Sequence, residues 1–168
     1  IVSYGAMLRC SETERIMWDD VTFSQEKHAS GVPKAMCITI RALEGSTFKT
    51  HSCSVEFRFA SVDKVGICPV QAMWGWMHMC ARMWGALPQP VFTFSVDHVR
   101  KAFQSVAAAA LGGAPTDFGL HSLRAGAATD AEERGWSISE IMFMGRWRSP
   151  TVLVYLRQGD KWLQELGL

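Results

Sequence analysis

Apolar residues are distributed in two different ways along the chain. In the first third, residues 36–43 (MCITIRAL) and 53–60 (CSVEFRFA) are rich in β-branched and aromatic types, which fit a pleated, half-buried surface. The polar stretch Glu44 to Ser52, with Gly45, reads as the connection between them, and Trp18-Asp19-Asp20-Val21 leads into further strand-like sequence, so a small antiparallel sheet is expected. Ahead of it, Ile1 to Cys10 reads as the end of an apolar helix, and Ser11 with Glu14 three positions on resembles a capping box for a second short helix. Beyond the strands, apolar residues recur at helical spacing. Pro69 to Met83 and Asp97 to Leu111 are predicted helices, the first opened by its proline and the second closed by Gly112-Gly113. Three more are expected: Ser122 to Arg134 stopping at Gly135, Ser137 to Met144 stopping at Gly145, and one started by Ser149-Pro150 that carries Tyr155. The predicted class is mixed α+β, mainly helical, with a small antiparallel sheet in the first third packed against a helical bundle.

Composition narrows the picture. With 168 residues, 48% hydrophobic content and a mean hydropathy of +0.05, the expectation is a single globular domain over residues 1–168, part of a longer chain because it opens on Ile1. No apolar run approaches the ~20 residues of a membrane span, and no secretory leader is legible. Cys10, Cys37, Cys53, Cys68 and Cys80 are odd in number and irregular in spacing, which argues for reduced thiols and an intracellular setting, nuclear if the source is eukaryotic and otherwise cytoplasmic. His51-Ser52-Cys53 and His78-Met79-Cys80 are spaced too closely for ordinary ligand pairs, so neither a metal nor another cofactor is expected. A formal net charge of +1 means that any DNA contact must come from local clusters of cations.

Such clusters occur in the stretch HSLRAGAATDAEERGWSISEIMFMGRWRSPTVLVYLR, which contains His121, Arg124, Gly145-Arg146-Trp147 and Tyr155. It is similar to the last third of tyrosine recombinases, with the Gly-Arg-Trp step looking most like eukaryotic members of the Crypton and DIRS-type mobile elements. Near the start, MLRCSETERIMWDDVTF resembles the family's first active-site arginine segment and assigns Arg9 and Glu12, while Phe48-Lys49-Thr50 matches its lysine hairpin. The register of the family's second histidine falls on Arg146, with Trp147 beside it, and both are candidates for that role.

The resemblance implies the catalytic core of the DNA breaking-rejoining enzymes, without the preceding DNA-clamping domain. It implies recombination or integration on double-stranded DNA through a 3′-phosphotyrosyl intermediate, with self-association in a synapse and no membrane partner. The residue types suit that chemistry. A tyrosine phenol, with a reference pKa near ~10, needs cations or a base nearby to attack phosphorus. Arg9 and Arg124 would clamp phosphate oxygens, since a guanidinium stays charged and presents paired donors. His121 suits general acid or base work, Lys49 would protonate the departing 5′ oxygen, and Glu12 would orient Arg9 or His121. If Ser122 caps its helix, His121 sits just outside the first turn and Arg124 on it. Arg148 and Arg157 are candidates for contacts to the DNA backbone.

Plainer readings compete. A tyrosine in VLVYLR is ordinarily a half-buried core residue, His121 and Arg124 would cap a helix and pair with Asp117, and Lys49 would be a hairpin lysine. At the level of function the alternatives are an element-derived DNA-binding domain without catalytic activity, a type IB topoisomerase-like activity, and a helical interaction domain.

Overall fold

The computed structural model describes residues 2–41, 54–61, 68–87, 89–147 and 149–156. In chain order these form α1 (Val2–Gly5), α2 (Cys10–Thr13), β1 (Val21–Phe23), β2 (Ala35–Ile40), β3 (Val55–Ala60), α3 (Pro69–Trp84), α4 (Val96–Leu111), α5 (His121–Glu133) and α6 (Ile138–Gly145). Single 3₁₀ turns occupy Trp18–Asp20 and Pro115–Asp117, and a longer 3₁₀ segment runs over Pro150–Tyr155. The mixed, mainly helical class with one small antiparallel sheet agrees with the sequence expectation. The described residues fall into two compact units, one made of Val2 and the residues from Ser11 to Ser95, the other of Ser3–Cys10 together with those from Val96 onward.

In the first unit the strands lie in the order β1-β2-β3, with Val21 opposite Ile38 and Ile38 opposite Phe57. Met36, Ile38 and Ile40 alternate on one face of β2 and are buried, so a one-residue slip would expose all three. Helix α3 packs on the sheet through Trp74, whose ring meets Phe23 edge-on at 5.0 Å, and buries Val70, Met73 and Cys80. Burial raises the Cys80 thiol above its ordinary value. None of Cys10, Cys37, Cys68 and Cys80 forms a disulfide. The buried Asp20 carboxylate is satisfied by the Met17 N–H at 2.9 Å and by the Arg41 side chain.

The core of the second unit joins Met7 to Ala127, Ala128 and Ala131 of α5, Ile141 of α6, and Val152, Leu153 and Leu156. Three alanines on one face of α5 bring the following segments close. Helix α5 ends at Glu133 with Arg134 as its C-cap, and Gly135 next to it has a φ of 83°, a left-handed value that favours glycine.

Several elements differ from the sequence expectation: the helix expected over Ile1 to Cys10 spans only Val2–Gly5, and the segment begun by Ser149-Pro150 is 3₁₀ and ends at Tyr155. Ser11 lies inside α2 instead of capping it, because that helix starts at Cys10 and lasts four residues. Ser122 is not a cap either. Leu120 already has helical angles, and the Ser122 hydroxyl turns back to accept from the Gly119 N–H at 3.4 Å, so His121 is the first residue of α5. Helix α6 keeps Gly145 as its last residue, and Arg146 takes the left-handed cap. Its true N-cap is Ser137, which exchanges hydrogen bonds with Glu140 in a capping box. Among the described residues no helix is long and apolar enough to cross a membrane.

Candidate active site

All of the site's described parts belong to the second unit. Arg9 follows the turn at Met7 and lines a cavity of about 280 Å³. His121 and Arg124, on the first turn of α5, line the same cavity, as does Arg100 of α4. Four potentially cationic residues therefore line one cavity, and no carboxylate is among the described residues lining it. Asp117, the plainer partner for His121 and Arg124, accepts instead from the Ala114 N–H at 2.9 Å.

His121 is exposed, and its Nε2 lies 2.9 Å from the Tyr155 hydroxyl. One of the two groups donates and the other accepts, according to the imidazole tautomer. Tyr155 ends the 3₁₀ segment, half-buried, with its carbonyl accepting from the Thr129 hydroxyl at 3.0 Å. The segment is anchored from below by Val152 and Leu153, both buried. The hydroxyl is thus tied to α5 at both ends of the tyrosine, through its backbone to Thr129 and through its side chain to His121.

Arg124 is 2% exposed. It donates to the carbonyls of Met7 and Gly145, and its guanidinium carbon sits 4.0 Å from the centre of the Trp147 ring, a cation–π contact. Trp147 in turn lies 6.1 Å from the Tyr155 ring, centre to centre. The geometry separates the two residues read for the second-histidine register. The Trp147 ring contacts that of Tyr155, whereas Arg146 donates to the carbonyls of Ala6 at 3.1 Å, Met144 at 2.9 Å and Met7 at 3.2 Å. Arg146 is buried, and its hydrogen bonds to the Ala6 and Met7 carbonyls hold the turn that precedes Arg9. Its left-handed φ of 58° costs free energy that three carbonyl contacts offset. Gly145 is required beside it, because a Cβ there would fall within the Trp147 ring.

Glu12 sits in α2 and does not line the cavity. Lys49, Arg148 and Arg157 lie outside the described residues. Among the described residues no group of three or more His, Cys, Asp or Glu side chains is arranged to hold a metal ion. His78 of the spaced His-Met-Cys triplet stacks edge-on against Trp74 at 4.6 Å instead.

Two members of this arrangement have little sequence signal. Arg100, in DHVRK, reads as one more charge on a solvated helix face. The convergence of Arg124 and Arg146 on the Met7 carbonyl is a contact across more than a hundred residues, with no local periodicity to announce it. No protein-family model matches the chain, and no curated protein matches it in sequence.

Proposed function

We propose that this protein cleaves and rejoins DNA strands through a covalent bond to Tyr155, in the manner of a site-specific recombinase or integrase. The observation that carries the reading is the hydrogen-bonded pair of His121 and Tyr155 beside a cavity lined by arginines. A nucleophile needs a base within about 2.6–3.2 Å, and His121 meets that distance. In the proposed step the Tyr155 oxygen attacks phosphorus and its proton passes to His121 Nε2. The bond from phosphorus to the 5′ oxygen breaks, and that oxygen takes a proton, from Lys49 on the family's pattern. Arg9 and Arg124 donate to the non-bridging oxygens as negative charge grows on them. Rejoining is the reverse step with the 5′ hydroxyl of the same or another strand, which conserves the bond energy and needs no nucleotide. Double-stranded DNA is the partner, and exchange between strands requires a second copy of the chain.

One observation favours a second reading, in which the protein binds DNA without cutting it. Arg124 is buried and already donates to two backbone carbonyls, so part of its fork serves the fold. Incubation with a nicked suicide duplex, whose cleaved end diffuses away, separates the two. The first reading requires a covalent protein–DNA species, whereas the second gives binding with none.

A further inference from the structure

Helix α4 carries Arg100 into the wall of the cavity, and the proposed step makes no use of it. Its side chain is 47% exposed, and its Nη1 donates to Asp97 at 2.9 Å. The other Asp97 oxygen holds Lys101 at 3.0 Å. Asp97 is therefore shared between two cations on one exposed face. Its carboxyl is held below the usual range by the Lys101 hydrogen bond first, and then by the surrounding positive charge.

An exposed pair one helical turn apart is weak, because water competes for both partners and salt screens them. A phosphodiester entering the cavity would compete with Asp97 on favourable terms. A guanidinium binds two phosphate oxygens side by side, and the neighbouring Arg9 and Arg124 raise the local positive potential. No carboxylate among the described lining residues opposes the exchange.

We propose that Arg100 is a contact to the DNA backbone, and that Asp97 is the counterion it releases when DNA binds. The inference rests on reading this cavity as the phosphate site. It assigns Arg100 to ground-state binding, a role distinct from that of Arg9 and Arg124 in the cleavage step.

The test measures binding of a short random-sequence duplex across a salt series by the wild type, Arg100→Gln, Asp97→Asn, the double variant and Arg134→Gln. Arg134 is an exposed arginine at the C-cap of α5, paired with Asp130 outside the cavity, and reports the effect of losing one charge from the same unit. Arg100→Gln should lower the slope of log affinity against log salt by about one, and Arg134→Gln by much less. Asp97→Asn should tighten binding, and that gain should shrink in the double variant. An Arg100→Gln slope equal to that of the wild type, or to that of Arg134→Gln, overturns the proposal. Covalent adduct is scored in parallel. Adduct with an unchanged slope sinks Arg100 but keeps the cleavage reading, whereas a lowered slope without adduct keeps Arg100 as a phosphate contact in a domain that only binds. Failure of the folded wild type to bind the duplex overturns both.

Discussion

His121 Nε2 and the Tyr155 hydroxyl oxygen are 2.9 Å apart, although 34 positions separate the residues in the chain. The contact depends on α5 and the 3₁₀ segment being packed together through Ala128, Val152 and Leu153. Because the imidazole is exposed, its removal should leave the fold intact. His121→Ala is expected to slow adduct formation by roughly a hundredfold to ten-thousandfold, the range of a lost general base. Single-turnover cleavage at saturating DNA, with a denaturant curve as control, checks this.

Arg9 and Arg124 should separate in a way their shared cavity does not suggest. Arg9→Gln is expected to cost on the order of 3 kcal/mol in the transition state, about a hundredfold in rate, with little change in DNA affinity. Arg124→Gln should show a comparable rate loss and also lower stability, by about 2 kcal/mol, because the Met7 and Gly145 carbonyls lose a buried donor. Urea midpoints and single-turnover rates on both variants give the comparison. Equal stability of the two variants would contradict the structural share assigned to Arg124.

Arg146 offers a test of a left-handed cap held by side-chain hydrogen bonds. Arg146→Ala loses the contacts to Ala6, Met144 and Met7 while retaining the strain of a positive φ. Arg146→Gly loses the same contacts but adopts that backbone freely. Both should be destabilised, and the alanine variant should be the less stable of the two by on the order of 1 kcal/mol, as measured by chemical unfolding.

The capping box at α6 predicts a pH dependence. Hydrogen bonds from the Ser137 hydroxyl, and then from its backbone N–H, hold the Glu140 carboxyl below its ordinary value. A carboxyl whose value is lowered by folding contributes stability that is present above its unfolded pKa and lost as pH falls through the folded one. Stability should therefore decline on the acid side of the carboxylate range. Ser137→Ala should lose about 1 kcal/mol at neutral pH and show a shallower decline on acidification. Urea midpoints at stepped pH measure both effects.

Much of the fold is legible because its signals are local. Pro69 starts α3, Gly112 follows α4 with φ 75°, and the β-branched and aromatic runs become β2 and β3. The site is legible only in part. The order of arginine, His-x-x-Arg and tyrosine is visible along the chain, whereas the meeting of Arg9, His121 and Arg124 around one cavity is a property of packing. Gly145 looks like a helix stop in sequence. Its absent side chain in fact makes room for the Trp147 ring, and the stop passes to Arg146, a residue type that seldom takes left-handed angles unaided. The role of Arg146 is hidden for the same reason, since its partners are carbonyls at the far end of the chain. Arg100 is hidden because an arginine beside an aspartate on an exposed helix has an ordinary local explanation.

The most direct measurement is the covalent trap on a nicked suicide duplex, performed in chelator without nucleotide and followed by mass spectrometry of the adducted peptide. The proposed chemistry draws its positive charge from arginines and its nucleophile from the chain, so the wild type should form a DNA–peptide adduct mapping to Tyr155. Tyr155→Phe, which keeps the ring and loses only the hydroxyl, should fold with a similar denaturant midpoint and form none. An adduct that persists in Tyr155→Phe, or a folded, DNA-bound wild type that forms no adduct, would contradict the account.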